Sequence, residues 1–301
     1  MDYKDIEVKD NYLIIKDVEN FDPVHIFECG QCFRWNKVSD NDFIGVAYGK
    51  VIEVVKEGKD VIIYNSTEED FYNIWCEYFD LKRNYSEIKE ELSKDPLLKQ
   101  AVDFGYGIRI LKQEPFEIVI SFIISANNRI PMIKRCIENI SRRWGEQIEY
   151  NGVIYYAFPS PEKLATVSEE ELESCGLGFR AKYVKDTVSK IYNSLKGVEG
   201  FENYNIYNIA NMVDDDCHKA LQQFNGIGPK VADCIMLFSM NKISAFPVDV
   251  WVKRAMMHFY TAPDLSLKKI RDFAREKFGH MSGFAQQYLF YYARENNIKI
   301  D

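Results

Sequence analysis

Two side chains in this 301-residue sequence are spaced to do covalent chemistry together. Lys230 follows the turn Gly226-Ile227-Gly228 by two residues, and Asp249 comes nineteen residues later in Phe246-Pro247-Val248-Asp249-Val250. A lysine amine can attack an electrophilic sugar carbon and form a Schiff base, once it has shed its proton. From an ordinary pKa of about 10.4, a neutral amine at pH 7 costs roughly 4 to 5 kcal/mol. A neighbouring carboxylate could stabilise an oxocarbenium-like transition state and help place that proton. Its charge also raises the amine's pKa, so the two roles pull against each other.

The elements that must hold these groups lie on either side, within residues 221–254. Two apolar-patterned helices flank the glycine turn, where Gly-x-Gly permits positive φ and close backbone approach. The second helix then presents unpaired N–H groups at its start, an anion site that grips a phosphate oxygen without reading a base. A purely structural turn between helices fits the same residues. Lys230 sits in the first turn of that helix, where the dipole repels a cation, so it points to a use other than stability or to an ordinary surface lysine. Asp249, with Pro247 fixing its approach, fits the N-cap of a helix beginning at Val250, and capping would keep the carboxylate ionised and oriented.

The rest of the chain changes period once. Residues 12–16, 32–37, 43–48, 51–56 and 61–64 are short β-branched and aromatic runs separated by Asp/Asn/Gly clusters, which predicts an antiparallel meander. From about residue 67 the spacing is helical throughout: Ser66 or Thr67 caps, Phe71, Ile74, Trp75 and Tyr78 recur, and residues 86–104 continue the pattern. Residues 109–113 read as the crossing into a second domain. The apolar stretch 116–126 reads as a buried helix, Asn127-Asn128-Arg129 as caps or turn residues, and 132–144 as a surface helix. Gly176-Leu177-Gly178 is a second glycine break, and the aromatic segment 283–294 reads as core. The expected class is α+β: an antiparallel sheet domain with flanking helices over 1–110, and a helical domain over 111–301 with its hairpin core at 215–260.

Charge and cysteine usage narrow the class further. The net charge of −8 argues against a general polyanion binder, yet residues 1–110 carry 14 Lys+Arg against 23 Asp+Glu while residues 225–301 carry 11 against 7. A locally basic face on an acidic protein can still bind nucleic acid. Cys29 and Cys32 form a C-x-x-C without a second close pair, and the other five cysteines and four histidines are scattered; reduced thiols, no metal and no cofactor are expected. No apolar run approaches a membrane span, so a cytoplasmic protein is expected.

The words CGQCFRW, SANN, CGLGFRAKYV, GIGPKVADCIMLFS, FPVDV and SGFAQQYLF occur in this order. Together they resemble the 8-oxoguanine DNA glycosylases, bifunctional members of the helix-hairpin-helix, Gly/Pro-rich-loop, Asp superfamily of base-excision enzymes, and the chain is identified as a bacterial member. The resemblance covers nearly the whole chain and implies an N-glycosylase with abasic-site lyase activity. The implied partner is double-stranded DNA containing 8-oxoguanine, engaged by a monomer associated with the nucleoid. It implies Lys230 as nucleophile and Asp249 as its assisting carboxylate. Cys234 and Phe290 would sandwich the flipped base beside Pro247, Gln286 would bond its Watson–Crick edge, and the Gly30 carbonyl would accept the N–H that oxidation creates. Gly226 and Gly228 would serve phosphate. Asn127 would fill the hole left by the base, and Arg180 would read the opposite cytosine. Three positions depart from the eukaryotic pattern: Met132 replaces a second cytosine-reading arginine, Phe179 a tyrosine wedge, and Trp251 a histidine. Relatives acting on oxidised pyrimidines or mispaired adenine commonly carry a C-terminal four-cysteine iron–sulfur motif; here the last cysteine is Cys234. A DNA-binding module without catalysis would need neither Lys230 nor Asp249.

Overall fold

Alternating apolar residues build the first layer. A computed structural model of the protein describes residues 1–260 and 265–297. Strands β1 (Asp5–Val8), β2 (Tyr12–Lys16), β3 (Trp35–Ser39), β4 (Asp42–Ala47), β5 (Lys50–Glu57) and β6 (Asp60–Tyr64) form an antiparallel sheet of order β1-β2-β6-β5-β4-β3. The register pairs Leu13 with Ile63, Ile15 with Val61 and Phe43 with Val54, so these buried side chains share one face. That face packs on Phe71, Trp75, Tyr78 and Phe79. The strand expected at 32–37 begins only at Trp35, because the residues before it form an irregular loop around Gly30.

The expectation of helix throughout after residue 67 is corrected by a second hairpin, β7 (Gln147–Tyr150) paired with β8 (Val153–Tyr156). Asn151 and Gly152 take φ of 50° and 74°, the conformation that Asn-Gly adopts in a tight hairpin turn between Ile- and Tyr-bearing strands. The remaining architecture is helical: α1 (Tyr85–Leu92), α2 (Pro96–Phe104), α3 (Pro115–Ser125), α4 (Ile130–Trp144), α5 (Ala181–Leu195), α6 (Asp214–Leu221), α7 (Pro229–Ser239), α8 (Val250–Phe259), α9 (Leu267–Phe278) and α10 (Ser282–Glu295), with shorter turns between. The continuous pattern over 86–104 is broken at Asp95-Pro96, where Asp95 caps α2 by accepting from Leu97 and Leu98 N–H.

Helix α3 is the centre of this half. Residues Phe116 and Ile118 to Ile124 are all buried, and α7 packs along it. Helices α1 and α2 join the same core through Tyr85, Leu92 and Leu98, although they precede it in sequence. Arg109 ties the segment between sheet and helices in place. It is fully buried, pairs with Asp2 at 2.8 Å, donates to the carbonyls of Phe79 and Asp80, and lies 4.1 Å over the Tyr85 ring. Removing one partner of such a buried pair costs about 3 to 5 kcal/mol.

Candidate active site

The hairpin is α6, a turn, and α7. Only its first glycine needs the left-handed region: Gly226 has φ +87°, and a Cβ there would lie 3.0 Å from Tyr183 Cγ. The expectation that both glycines serve backbone freedom is therefore corrected. Gly228 takes φ −90° and ψ 179° as the N-cap of α7, and a Cβ there would meet nothing within 4 Å. No neighbour among the described residues demands glycine at 228, so its bareness leaves the start of α7 open to a group arriving from outside. Beneath the turn, His218 Nε2 lies 3.1 Å from the Pro229 carbonyl, and buried Asp233 takes two hydrogen bonds from Arg271, at 2.6 and 2.8 Å.

Seven residues singled out in the sequence line one small cleft, of about 60 Å³, on the other side of α7: Gly30, Lys230, Cys234, Pro247, Asp249, Gln286 and Phe290. They converge from the loop before β3, from α7, from the entry to α8 and from α10. Asp249 is the N-cap of α8, accepting from Val252 N–H at 2.8 Å, so the capping role and a place in the cleft coexist. Cys29, Phe122, Phe238 and Gln287 complete the lining. Sequence reasoning passed over these four. Phe122 and Phe238 lie in apolar helices that read as core, yet Lys230 Nζ sits 5.7 Å from the Phe122 ring centre. Gln287 carried a faint signal as one of two adjacent glutamines in an otherwise aromatic helix. Its Nε2 donates to the Cys29 carbonyl at 2.8 Å.

The loop bearing Gly30 is held from both sides. Gln31 donates to the Ile26 and Arg109 carbonyls and accepts from Leu111 N–H at 2.9 Å, while Gln287 holds the preceding carbonyl. Gly30 itself has φ +83°, and a Cβ there would come within 3.0 Å of Phe290 Cε1. Gln286 is 4% exposed, and its Oε1 has no hydrogen-bond partner within the protein, an acceptor unused by the fold.

Burial and charge oppose each other on the lysine. The ammonium of Lys230 is held above the ordinary lysine range, first by the Cys234 sulfur and then by Asp249, against the burial that disfavours it. Burial pushes the Cys234 thiol up to about 11, so near neutral pH it is protonated and Asp249 is the charge that faces the ammonium. Burial likewise raises the Asp249 carboxyl, opposed by the Val252 N–H and by Lys230. A carboxylate whose proton affinity is raised is a better proton acceptor for the amine beside it.

The residues expected to face the opposite strand do not line this cleft; they form a separate exposed surface. Asn127 is exposed at φ 51°, Phe179 is 56% exposed, and Met132 and Ile130 stand out from the start of α4. Arg180, expected to read the opposite cytosine, has several of its donors engaged by the fold. Its Nε donates to the Ala126 carbonyl, Nη2 to that of Asn127, both at 2.8 Å, and Nη1 to that of Leu177, while its guanidinium lies 4.5 Å over the Phe179 ring. Two of these bonds hold the Asn127 turn and the third ties back to Leu177, and only the rest of the fork is free for a base. Asn128 and Arg129 fit the turn-and-cap reading: Asn128 Nδ2 bonds the Ile124 carbonyl, and Arg129 occupies the N-cap position of α4.

Residues 13–119 match the family model of the 8-oxoguanine DNA glycosylase N-terminal domain, and residues 120–280 match that of HhH-GPD superfamily base excision DNA repair proteins. The chain belongs to the 8-oxoguanine DNA glycosylase family. Its fold superposes on the Clostridium acetobutylicum 8-oxoguanine glycosylase/lyase, solved with double-stranded DNA containing cytosine opposite 8-oxoguanine, with a TM-score of 0.95. That pair is 62% identical over 99% of this chain and 100% of the other. A probable N-glycosylase/DNA lyase of Methanothermobacter thermautotrophicus is 37% identical over 73% of this chain and 74% of its own length. An N-glycosylase/DNA lyase of Arabidopsis thaliana is 30% identical over 88% and 75% respectively. The α+β class, the sheet followed by a helical hairpin-bearing half, and membership among glycosylases with lyase activity stand as expected.

In this 8-oxoguanine DNA glycosylase the position of Gly30 is sterically exacting. Gly30→Ala would force an L residue into the left-handed region, at about 1 to 2 kcal/mol, and press on Phe290. If the Gly30 carbonyl meets the lesion as the family resemblance implies, its displacement is expected to slow single-turnover excision of oxoguanine by about a hundredfold. A rate within threefold of wild type would remove Gly30 from the recognition machinery.

Proposed function

We propose that this glycosylase excises 8-oxoguanine from duplex DNA as a monomer, through a Schiff base on Lys230, and then cleaves the abasic strand. The observation that carries this reading is the convergence of Lys230 and Asp249 with Gly30, Gln286, Cys234 and Phe290 on one cleft of one chain. The amine attacks C1′ of the flipped nucleotide; the Nζ–C1′ bond forms, the C1′–N9 bond breaks, and its electron pair leaves on the base, which takes a proton. Asp249 accepts the amine's proton and faces the positive charge that develops on the sugar. Ring opening gives the iminium. Loss of a C2′ proton then expels the 3′-phosphate by β-elimination, and water releases the lysine. Gly228 and the start of α7 grip a backbone phosphate, supplying position rather than sequence.

Discrimination from guanine rests on one inversion. Oxidation turns the N7 acceptor into a donor, which the Gly30 carbonyl accepts; guanine presents lone pair to lone pair there. One such contact is worth about 1 to 3 kcal/mol, so extrusion contributes further selectivity. Borohydride reduction with an oxoguanine duplex is expected to trap a covalent protein–DNA adduct. Binding without an adduct would make the chain a DNA-binding module, and preferential trapping on an oxidised-pyrimidine duplex would assign a different lesion.

Opposite-base selectivity is relaxed in this reading, because Met132 offers no bidentate fork and Arg180 has committed three donors to carbonyls. Excision from duplexes with each of the four bases opposite the lesion is expected to vary by less than about tenfold, since each bidentate contact that is absent removes about 1 to 3 kcal/mol of discrimination. A preference for cytosine of about a hundredfold or above would overturn this.

A further inference from the structure

A second cleft, of about 410 Å³, lies between the sheet edge at β3–β4, helix α4 and the β7–β8 hairpin, and shares no residue with the base cleft. Four cations line it, Arg34, Lys134, Arg135 and Arg142, against one acid, Glu138. This concentration stands out in a chain of net charge −8. Arg34 is the built part: its side chain is 7% exposed, Nη2 donates to the Tyr156 carbonyl, and Nη1 makes no hydrogen bond, with Glu117 3.9 Å away. Lys134 Nζ donates to the Trp35 carbonyl at 2.6 Å and meets no acid. Arg135 is exposed, and no acid or carbonyl engages it. Besides Arg34 with Glu117, Arg142 is paired, with Glu138 at 2.7 Å, and its guanidinium lies 5.8 Å from the centre of the Tyr156 ring.

We infer that this cleft is a phosphate-binding site, independent of the base cleft, that takes a phosphate borne on a nucleotide. Its lining cations outnumber its lining acids by three, Lys134 and Arg135 have no acid partner among the described residues, and Tyr155 and Tyr156 offer aromatic walls beside them. The cleft is contiguous with the opposite-strand surface: Arg135 follows Met132 by one helical turn, and Arg142 lies about 15 Å further along α4 than Met132. Two sources share this chemistry, the backbone of a duplex continuing past Met132 and a free nucleotide. The inference does not depend on the assignment of Lys230 or of the lesion.

Arg135→Gln/Arg142→Gln and, separately, Glu138→Gln change exposed side chains and keep the fold. If the duplex is the source, the double variant binds a long undamaged duplex about three- to tenfold more weakly, and its salt slope falls by about 2. The difference then vanishes on duplexes cut to about four base pairs beyond the Met132 side. If a free nucleotide is the source, calorimetry with pyrophosphate and with ATP shows saturable binding to the wild type, lost in the double variant, while duplex affinity is unchanged. In either case Glu138→Gln tightens binding, a change of sign that damaged folding cannot produce. Duplex affinity, salt slope and pyrophosphate binding all equal to wild type in both variants would overturn the inference.

Discussion

Replacing Lys230 with glutamine is expected to abolish the borohydride-trapped adduct and to slow oxoguanine excision by at least about 10⁴-fold. An amine held against C1′ acts at a high effective concentration, and its loss leaves only water as the nucleophile. Glutamine preserves the length and polarity of a half-buried side chain at the first turn of α7, so the fold and the phosphate-gripping turn persist. Duplex affinity is therefore expected to stay within about threefold, since uniform binding does not involve the amine. Nor can Cys234 give the trapped adduct in its place, since a sulfur bound to C1′ forms no imine for borohydride to reduce. The decisive measurement is the trapping gel on an oxoguanine duplex, with binding followed in parallel. An adduct from Lys230→Gln would transfer the nucleophile's role to another residue.

The second large effect belongs to Asp249, and it has a pH signature. With the Lys230 ammonium held above its ordinary range, the neutral amine is scarce at pH 7, and single-turnover excision is expected to rise through the alkaline range. Asp249→Asn removes the charge that pins the ammonium, so the rising limb should move to lower pH. Its plateau should fall by about 10² to 10⁴, because the proton acceptor and the charge facing the oxocarbenium are both lost. Asparagine caps a helix as well as aspartate does, so α8 keeps its start. Stability moves the other way. Burial raises the Asp249 carboxyl above its unfolded value, so the group contributes stability below the unfolded pKa and loses it as pH rises through the folded one. Asp249→Asn should therefore raise Tm slightly at neutral pH and leave it unchanged in strong acid. A lowered plateau with no displacement of the limb would reduce Asp249 to a cap.

Local order was largely legible in the residues. Four of the five anticipated strands lie within a residue or two of their places, because the short β-branched and aromatic runs of β2, β4, β5 and β6 are bounded by Asp/Asn/Gly turns. The glycine turn, the lysine after it and the Asp249 cap were equally plain. The β7–β8 hairpin escaped although Asn151-Gly152 announced it, since two four-residue strands are short beside the helices around them. Phe122 could not be distinguished from its neighbours in an eleven-residue apolar helix, where every side chain reads as core. The meeting of Gly30 with Gln286 and Phe290 spans most of the chain. No period or spacing encodes it, and only the resemblance of whole words to a known family suggested it. Arg180 shows the converse. The arginine was plain in its sequence word, but its donors are set by carbonyls that only the folded turn brings within reach.

The fixing of Gly30 by Gln31, Arg109 and Gln287 bears on how such a protein can change over time. The group assigned to the lesion is a main-chain carbonyl, and no single codon change deletes a carbonyl; substitution can only move it, against a scaffold that resists. The groups assigned to the opposite strand are side chains on an exposed surface, each replaceable in one step. Drift is thus channelled. Under the proposed assignment, a side-chain change such as methionine at 132 alters the partner base accepted and leaves the carbonyl that meets the damaged base in place.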